Sequence, residues 1–475
     1  MKLSFFLALT TLFIPTVLAD NLPDLGEASQ AVFSPQQERR IGEEIMQEVR
    51  ADRSYLNDAE LTEYLNNLGY RLVANSPDNR RDFEFFLVED GTLNAFALPG
   101  GYIGVHTGLI IASQSESELA SVLAHEIAHI EQKHLSRIIA GTQQNSLTTL
   151  AAVAVAILAA RSNPQVANAA LATAQATSIQ TQLNFTRDHE READRVGLQI
   201  LEHAGFDTHA MPAFFERLQK FGRVYDNNAP AYLRTHPLTT ERIADVENRV
   251  ASLPYKQVKS SLEFQLLRAK LRAMQGDPEQ AVAYFAESLK DKKYESEPGA
   301  RYGHAYALMR FRQYGRAEQE LTTLRNSIKS SPVVETLAAN IKVANGQLAT
   351  ALDIYRSALK RFPQHRALVY GYVEMLLQNG QAKIAEKYLA HQIETTPNDF
   401  RLYELLARSH AAQGRTFLQH QAQAEAYART GNTPAAIEQL QIALKSDDGN
   451  FYQLSSAEAR LKELRAIVVE TTKKP

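Results

Sequence analysis

The chain has 475 residues, 44% hydrophobic and 22% charged, with 22 Gly, 17 Pro, no Cys and no Trp; this is a globular composition, long enough for two or three cores, and unlike disordered, collagenous or disulfide-stapled chains. Lys plus Arg number 51 against 54 Asp plus Glu, a net charge of -3 that offers no basic field for nucleic acid. Without cysteine there is no thiol nucleophile, Cys-ligated zinc or iron–sulfur cluster, so any metal must sit on nitrogen and oxygen donors.

Residues 1–19 place Lys2 ahead of an apolar run from Leu3 to Leu18, closed by Val17-Leu18-Ala19 and followed by Asp20. This is the pattern of a secretory leader cut after Ala19, and the run is at the lower limit of length for a membrane span. Residues 20–255 mix strand-like and helix-like stretches. Phe83 to Val88 reads as a strand, and Ala95 to Ile103 as a second stretch broken by a turn at Pro99-Gly100-Gly101. The expected class is α+β, mainly α.

From Glu116 to Leu135 the spacing is helical, and it contains His125-Glu126-Ile127-Ala128-His129. On a helix, residues four apart are turned by about 40° and displaced by about 6 Å, so both imidazoles leave one face and can grip one ion, with Glu126 to the side. Catalytic zinc keeps three protein ligands and one position for water, so a third ligand is needed. Between this helix and the next candidate segment, residues 147–179 include the apolar run Leu150 to Ala160, too short and too Ala-rich to cross a bilayer. They read as a helical hairpin bent at Arg161 to Pro164, which packs on the cleft, lies on a membrane surface or gates entry.

The segment Phe185 to Arg195 is densely charged, and Glu190 and Asp194 lie four apart on one side of the helix it predicts. Glu190 would bind the ion and Asp194 would orient a ligand imidazole. Glu192, His189 and Asp188 compete, and periodicity alone does not choose between Glu190 and Glu192. Arg234-Thr235-His236-Pro237 is a Pro-marked loop before a helix that Thr239 or Thr240 caps.

Residues 256–475 repeat. Turn candidates Gly276, Arg312, Gly346, Gly380 and Gly414 fall 36, 34, 34 and 34 residues apart, and 34 is the tetratricopeptide period. Ala281, Ala317, Ala351 and Ala385 follow the first four turns at a constant offset; Ala269, Ala305, Ala339 and Val373 precede them, where helices must approach closely. After Gly414 the phase slips: Gly431 restarts the pattern half a period early, so one extra helix is expected.

His125-Glu126-Ile-Ala-His129, followed by Glu190-x-x-Ala193-Asp194 and preceded by Asn94 to Ile103, resembles the zinc metallopeptidase family that includes the CAAX prenyl proteases and the heat-shock protease HtpX. The resemblance implies a zincin-type peptidase domain, here followed by an α-solenoid of tetratricopeptide repeats. It implies one Zn2+ per chain on His125, His129 and Glu190, with Glu126 as general base and Asp194 as the acidic partner behind a ligand. It also places a His-Pro loop beside the zinc, so that His236 can be a fourth ligand holding the site inactive; a structural His before Pro and an oxyanion donor are the other readings. Asn94, Ala95 and Phe96 open a stretch that reads equally as an ordinary hairpin and as an edge on which an extended substrate pairs its backbone. With the leader and the repeats, the resemblance implies a periplasmic endopeptidase that degrades misassembled outer-membrane proteins and assists their assembly. Its partners would be unfolded or misassembled outer-membrane proteins and the β-barrel assembly machinery, with no nucleic acid and with a peripheral membrane contact as one option for residues 147–179. The competing reading is a chaperone-like adaptor that works through its repeats, its peptidase activity latent.

Overall fold

The computed structural model describes residues 34–78, 82–141, 187–224 and 231–473. The expected leader and the expected hairpin of residues 147–179 lie outside them, and no helix among the described residues is long and apolar enough to cross a membrane.

Helix α1 (Pro35–Ala51) starts on a reciprocal cap: Ser34 Oγ accepts from the Gln37 N–H, and the Gln37 side chain accepts from the Ser34 N–H. Helix α2 (Ala59–Val73) starts on Asp58, whose carboxylate accepts from the N–H groups of Glu60 and Leu61. A three-stranded sheet follows, β1 (Glu84–Val88), β2 (Ala95–Leu98) and β3 (Tyr102–His106), in the order β1-β3-β2. Strand β3 pairs parallel with β1, Phe85 opposite Ile103, and antiparallel with β2, Ala97 opposite Ile103. Being central, β3 is buried throughout, whereas β2 is an edge strand with Phe96 and Ala97 half-buried. The turn between β2 and β3 runs through Gly100 at φ +79° and Gly101 at φ +90°, and a Cβ on Gly101 would stand 2.1 Å from the Asp82 carbonyl oxygen. Only glycine fits there.

Short α3 (Thr107–Ala112) leads into α4 (Glu116–Glu131), which is buried on nearly every side and so forms the axis of this half. The helix predicted to run to Leu135 stops at Glu131: Lys133 takes a left-handed φ of +53°, and α5 (His134–Gly141) starts afresh. Helices α6 (Arg187–His203), α7 (Ala210–Val224), α8 (Ala231–Thr235) and α9 (Thr240–Ala251) complete the shell around α4. The core holds Leu65, Leu72, Phe85, Ile103, Leu123, Ile127 and Leu201, and it runs without interruption into Phe264, Leu267 and Tyr302 of the helical array.

That array pairs α10 (Leu262–Met274) with α11 (Pro278–Asp291), α12 (Glu297–Arg310) with α13 (Tyr314–Ser327), α14 (Pro332–Ala344) with α15 (Leu348–Arg361), α16 (Arg366–Gln378) with α17 (Ala382–Thr395) and α18 (Phe400–Ala411) with α19 (Thr416–Arg429); α20 (Thr433–Ala443) and α21 (Phe451–Lys473) follow. The predicted turn positions Gly276, Arg312, Gly346, Gly380 and Gly414 all have left-handed φ, from +59° to +73°. Most are closed by the same long bond, from Gln313 N–H to Leu308 O, Gln347 to Lys342, Gln381 to Leu376 and Arg415 to His410. The Ala and Val positions at the constant offsets are buried where the paired helices cross. Gly431, at φ +77°, ends α19 with a like bond from Asn432 N–H to Tyr427 O, so α19 is flanked by two such turns half a period apart.

Candidate metal centre

Helix α4 presents His125 and His129 one turn apart, and α6 crosses it at Gly197, where a Cβ would meet the His125 backbone at 3.1 Å. This close crossing carries the buried stripe of α6, Glu190, Ala193, Asp194, Gly197, Leu198 and Leu201, against α4. Glu190 and Asp194 are therefore 1% exposed, while the Glu192 side chain is 38% exposed and points elsewhere. The loop between α8 and α9 brings in His236, also 1% exposed.

Four groups converge. His125 Nε2 and His129 Nε2 are 2.9 Å apart, Glu190 Oε2 is 3.5 Å from the first and Glu190 Oε1 3.4 Å from the second. His236 Nδ1 lies 3.0 Å from Glu190 Oε1 and 3.5 Å from His125 Nε2. One donor atom from each of the four residues falls within 4.8 Å of every other. A tetrahedral ion with donors about 2.1 Å away sets them about 3.4 Å apart, so the spacing and the nitrogen–oxygen donor set fit a small divalent cation such as zinc.

Glu126 sits beside this cluster, fully buried, with Oε1 3.5 Å from His236 Nε2. Burial raises its carboxyl pKa, against the pull of His236, His125 and the Ala97 N–H of edge strand β2. Burial also acts on Glu190, but His236, His125 and His129 outweigh it and hold this carboxyl well below the usual range. Burial pushes His129 down to about 3, helped by His125. For His125, burial is overcome by Asp194 and Glu190, and the ring is pushed up to about 9.

Behind the cluster, Asp194 Oδ1 faces His125 Nδ1 at 3.0 Å. Arg242, in the first turn of α9, donates to both Asp194 oxygens at 2.8 Å and to the Pro237 carbonyl at 2.8 Å, and it lies 2.7 Å from Glu190 Oε2. Thr239 caps α9 by accepting from the Arg242 N–H. Three residues assigned no role from the sequence thus belong to the surroundings of the site. Arg242 occupies a place in the apolar stripe Ile243, Val246 and Val250 of α9, a cation on a buried face that signals a buried partner. Tyr232, on α8, is buried with its ring 4.7 Å from that of His236. His134 contacts His129, and a helix that continues to Leu135 gives no signal for it. Asn94 is buried just ahead of β2 with its carbonyl accepting from His106, Ala95 is fully buried, and Phe96 packs edge-on against Phe86.

Comparison with known proteins places residues 58–250 on the model of peptidase family M48, and residues 266–330 and 342–409 on models of the tetratricopeptide repeat. A Vibrio cholerae protein named putative beta-barrel assembly-enhancing protease is 36% identical over 88% of this chain and 86% of its own. The beta-barrel assembly-enhancing protease of Escherichia coli K12 is 32% identical over 94% of this chain and 92% of its own. The mitochondrial metalloendopeptidase OMA1 of Schizosaccharomyces pombe is 32% identical over 47% of this chain and 63% of its own.

Proposed function

The chain belongs to peptidase family M48, and from that premise we propose that His125, His129 and Glu190 hold one zinc ion per chain and that Glu126 is the proton-transferring base of an endopeptidase. The observation that carries the reading is the convergence of four buried donor atoms, with the fully buried Glu126 carboxylate beside them. When bound, zinc acidifies water toward neutral pH and polarises a peptide carbonyl. Glu126, buried beside the donor cluster, would take a proton from the attacking water and return it to the departing amine. Asp194, fixed by Arg242, holds His125 by its far nitrogen.

Strand β2 supplies the place for substrate. Its outer edge is unpaired within the sheet and runs past Glu126, so an extended chain lying along Asn94, Ala95 and Phe96 would present its carbonyl to the centre. Only locally unfolded polypeptides can pair in this way. Together with the names of the relatives, this supports a peptidase of outer-membrane protein assembly in the periplasm. It would degrade misassembled precursors and act alongside the β-barrel assembly machinery. We divide the chain at residues 255 and 256, between α9 and α10, into a peptidase domain from residue 20 and a repeat domain.

One observation favours a second reading, the adaptor with latent activity: His236 stands among the donors where water or substrate must enter. His236 as fourth ligand keeps the resting site closed, and its movement opens it. His236→Ala is expected to raise resting cleavage of an unfolded substrate, and unchanged cleavage would remove the blocking role. The test of the whole reading is metal analysis of the purified protein together with cleavage of casein and of an unfolded barrel protein, with and without a chelator. We expect about one zinc per chain, and cleavage that the chelator and Glu126→Gln abolish. A metal-free protein indifferent to the chelator overturns it, and a Glu126→Gln protein that still supports assembly in cells assigns that role to the repeats.

A further inference from the structure

The two histidines on α4 are backed differently. Behind His125 stands a carboxylate, Asp194, locked by Arg242. Behind His129 stands another imidazole: His134 Nδ1 lies 2.8 Å from His129 Nδ1, and the His134 side chain is wholly buried. Its second nitrogen, Nε2, lies 3.1 Å from Glu192 Oε2, which Arg137 Nη1 holds at 2.9 Å. The His189 ring stacks on it with centroids 4.5 Å apart and planes 20° from parallel.

This placement depends on the break in the helix. Had α4 continued, residue 134 would lie about 140° around the axis from residue 129 and face away from it. The left-handed φ of +53° at Lys133 restarts the chain in a new direction and folds His134 back over His129. A lysine in that conformation is unfavourable by roughly 1 kcal/mol, so the contact is made against a local preference.

We propose that His134 is the positioning residue of the metal ligand His129, setting both its tautomer and its ring orientation. This role rests on the zinc centre proposed above. His129 Nε2 faces the donor cluster and must be without a proton to bind a cation, so its proton sits on Nδ1 and is donated to His134 Nδ1. The proton of His134 is then on Nε2, donated to Glu192 Oε2, whose charge Arg137 balances. That single arrangement satisfies all these contacts. It also rules out His134 as a ligand in place of Glu190, because the nitrogen it offers His129 approaches the side turned away from the cluster. One ligand is thus backed by a negative group and the other by a neutral one, which keeps a buried site already holding Glu126, Glu190 and Asp194 from gathering further negative charge.

The test is zinc affinity, measured by competition with a chromophoric chelator, for the full chain and for His134→Asn and His134→Leu. Asparagine keeps an acceptor where Nδ1 stands; leucine fills much of the space without one. His134→Leu is expected to bind zinc about 10–100-fold more weakly, with His134→Asn recovering most of the loss. Thermal unfolding of the three chelator-treated proteins reports the packing change by itself. Unchanged affinity in His134→Leu overturns the role, and so does an equal loss in both variants, which would mark a packing effect. A wild-type chain that takes up no zinc overturns the zinc centre and this role with it.

Discussion

Arg242 performs three tasks with one guanidinium. It grips both oxygens of Asp194, neutralises Glu190 and ties down the Pro237 carbonyl next to His236. Arg242→Leu would leave two carboxylates buried without their cation, so the chelator-treated variant should lose about 3–5 kcal/mol in urea unfolding; a loss under about 1 kcal/mol would show that the pairs contribute little. Another residue gives a pH signature away from the site. Glu263 is pushed up to about 7 by burial and by its neighbours Glu63, Glu116 and Glu60. The folded chain therefore holds a proton that the unfolded chain, with a carboxyl pKa of about 4.3, has released, and stability falls as pH rises through that window. Glu263→Gln should be more stable than wild type at about pH 8 and nearly equal to it at about pH 4, both metal-free; the same gap at both values would contradict the shift. At this scale the sequence was only half legible. Glu190 and Glu192 obey the same local charge pattern, and what separates them is the stripe that continues through Ala193, Gly197, Leu198 and Leu201. That stripe is visible only when the charged segment is read together with the apolar residues after it.

Between helices, the site depends on one crossing. Gly197 lets α6 lie against the backbone of His125, and the neighbours that a Cβ would meet are backbone atoms of a fully buried helix, which have little room to yield. Gly197→Val should lose about 1–3 kcal/mol of stability and, by moving Glu190 away from the two histidines, weaken zinc binding; a variant with wild-type affinity would show that the crossing is not what sets the ligand spacing. The elements themselves were mostly legible, since caps, strand runs and the Gly100-Gly101 turn all have local signatures. The end of α4 was not. Ile130-Glu131-Gln132-Lys133-His134 contains no Gly or Pro, and a lysine in a left-handed turn leaves no trace in periodicity. Arg312 is the instructive contrast, a non-glycine that is also left-handed, at φ +60°, and that could be placed because four glycines mark the equivalent turns.

Across the molecule the array folds back on the peptidase half. Lys270 of α10, buried, pairs with Glu60 and Asp58 at 2.7 Å, Glu116 accepts from the Ser261 N–H and hydroxyl, and the Arg366 N–H donates to Glu63. Farther along, Gln47 and Arg50 of α1 donate to the Gly431 and Thr430 carbonyls. Lys270→Met strands a buried carboxylate between the halves; we expect a loss of about 3–5 kcal/mol and, because one core is shared, a single unfolding transition in the wild type. Two separate wild-type transitions would mean that the halves are independent. The period of 34 made the array readable, whereas its return to α1 was hidden because those contacts end on backbone carbonyls, which any residue supplies. The contact between Gln47 and Gly431 spans 384 residues. Helix α1 buries Ile41, Ile45, Met46 and Val49 against Phe86, Leu98 and Tyr102 of its own half, so a chain that emerges N-terminus first can pack α1 early and must wait for the last repeats only for the polar contacts to Thr430 and Gly431. The order of emergence would thus delay the finished fold until nearly the whole chain is present.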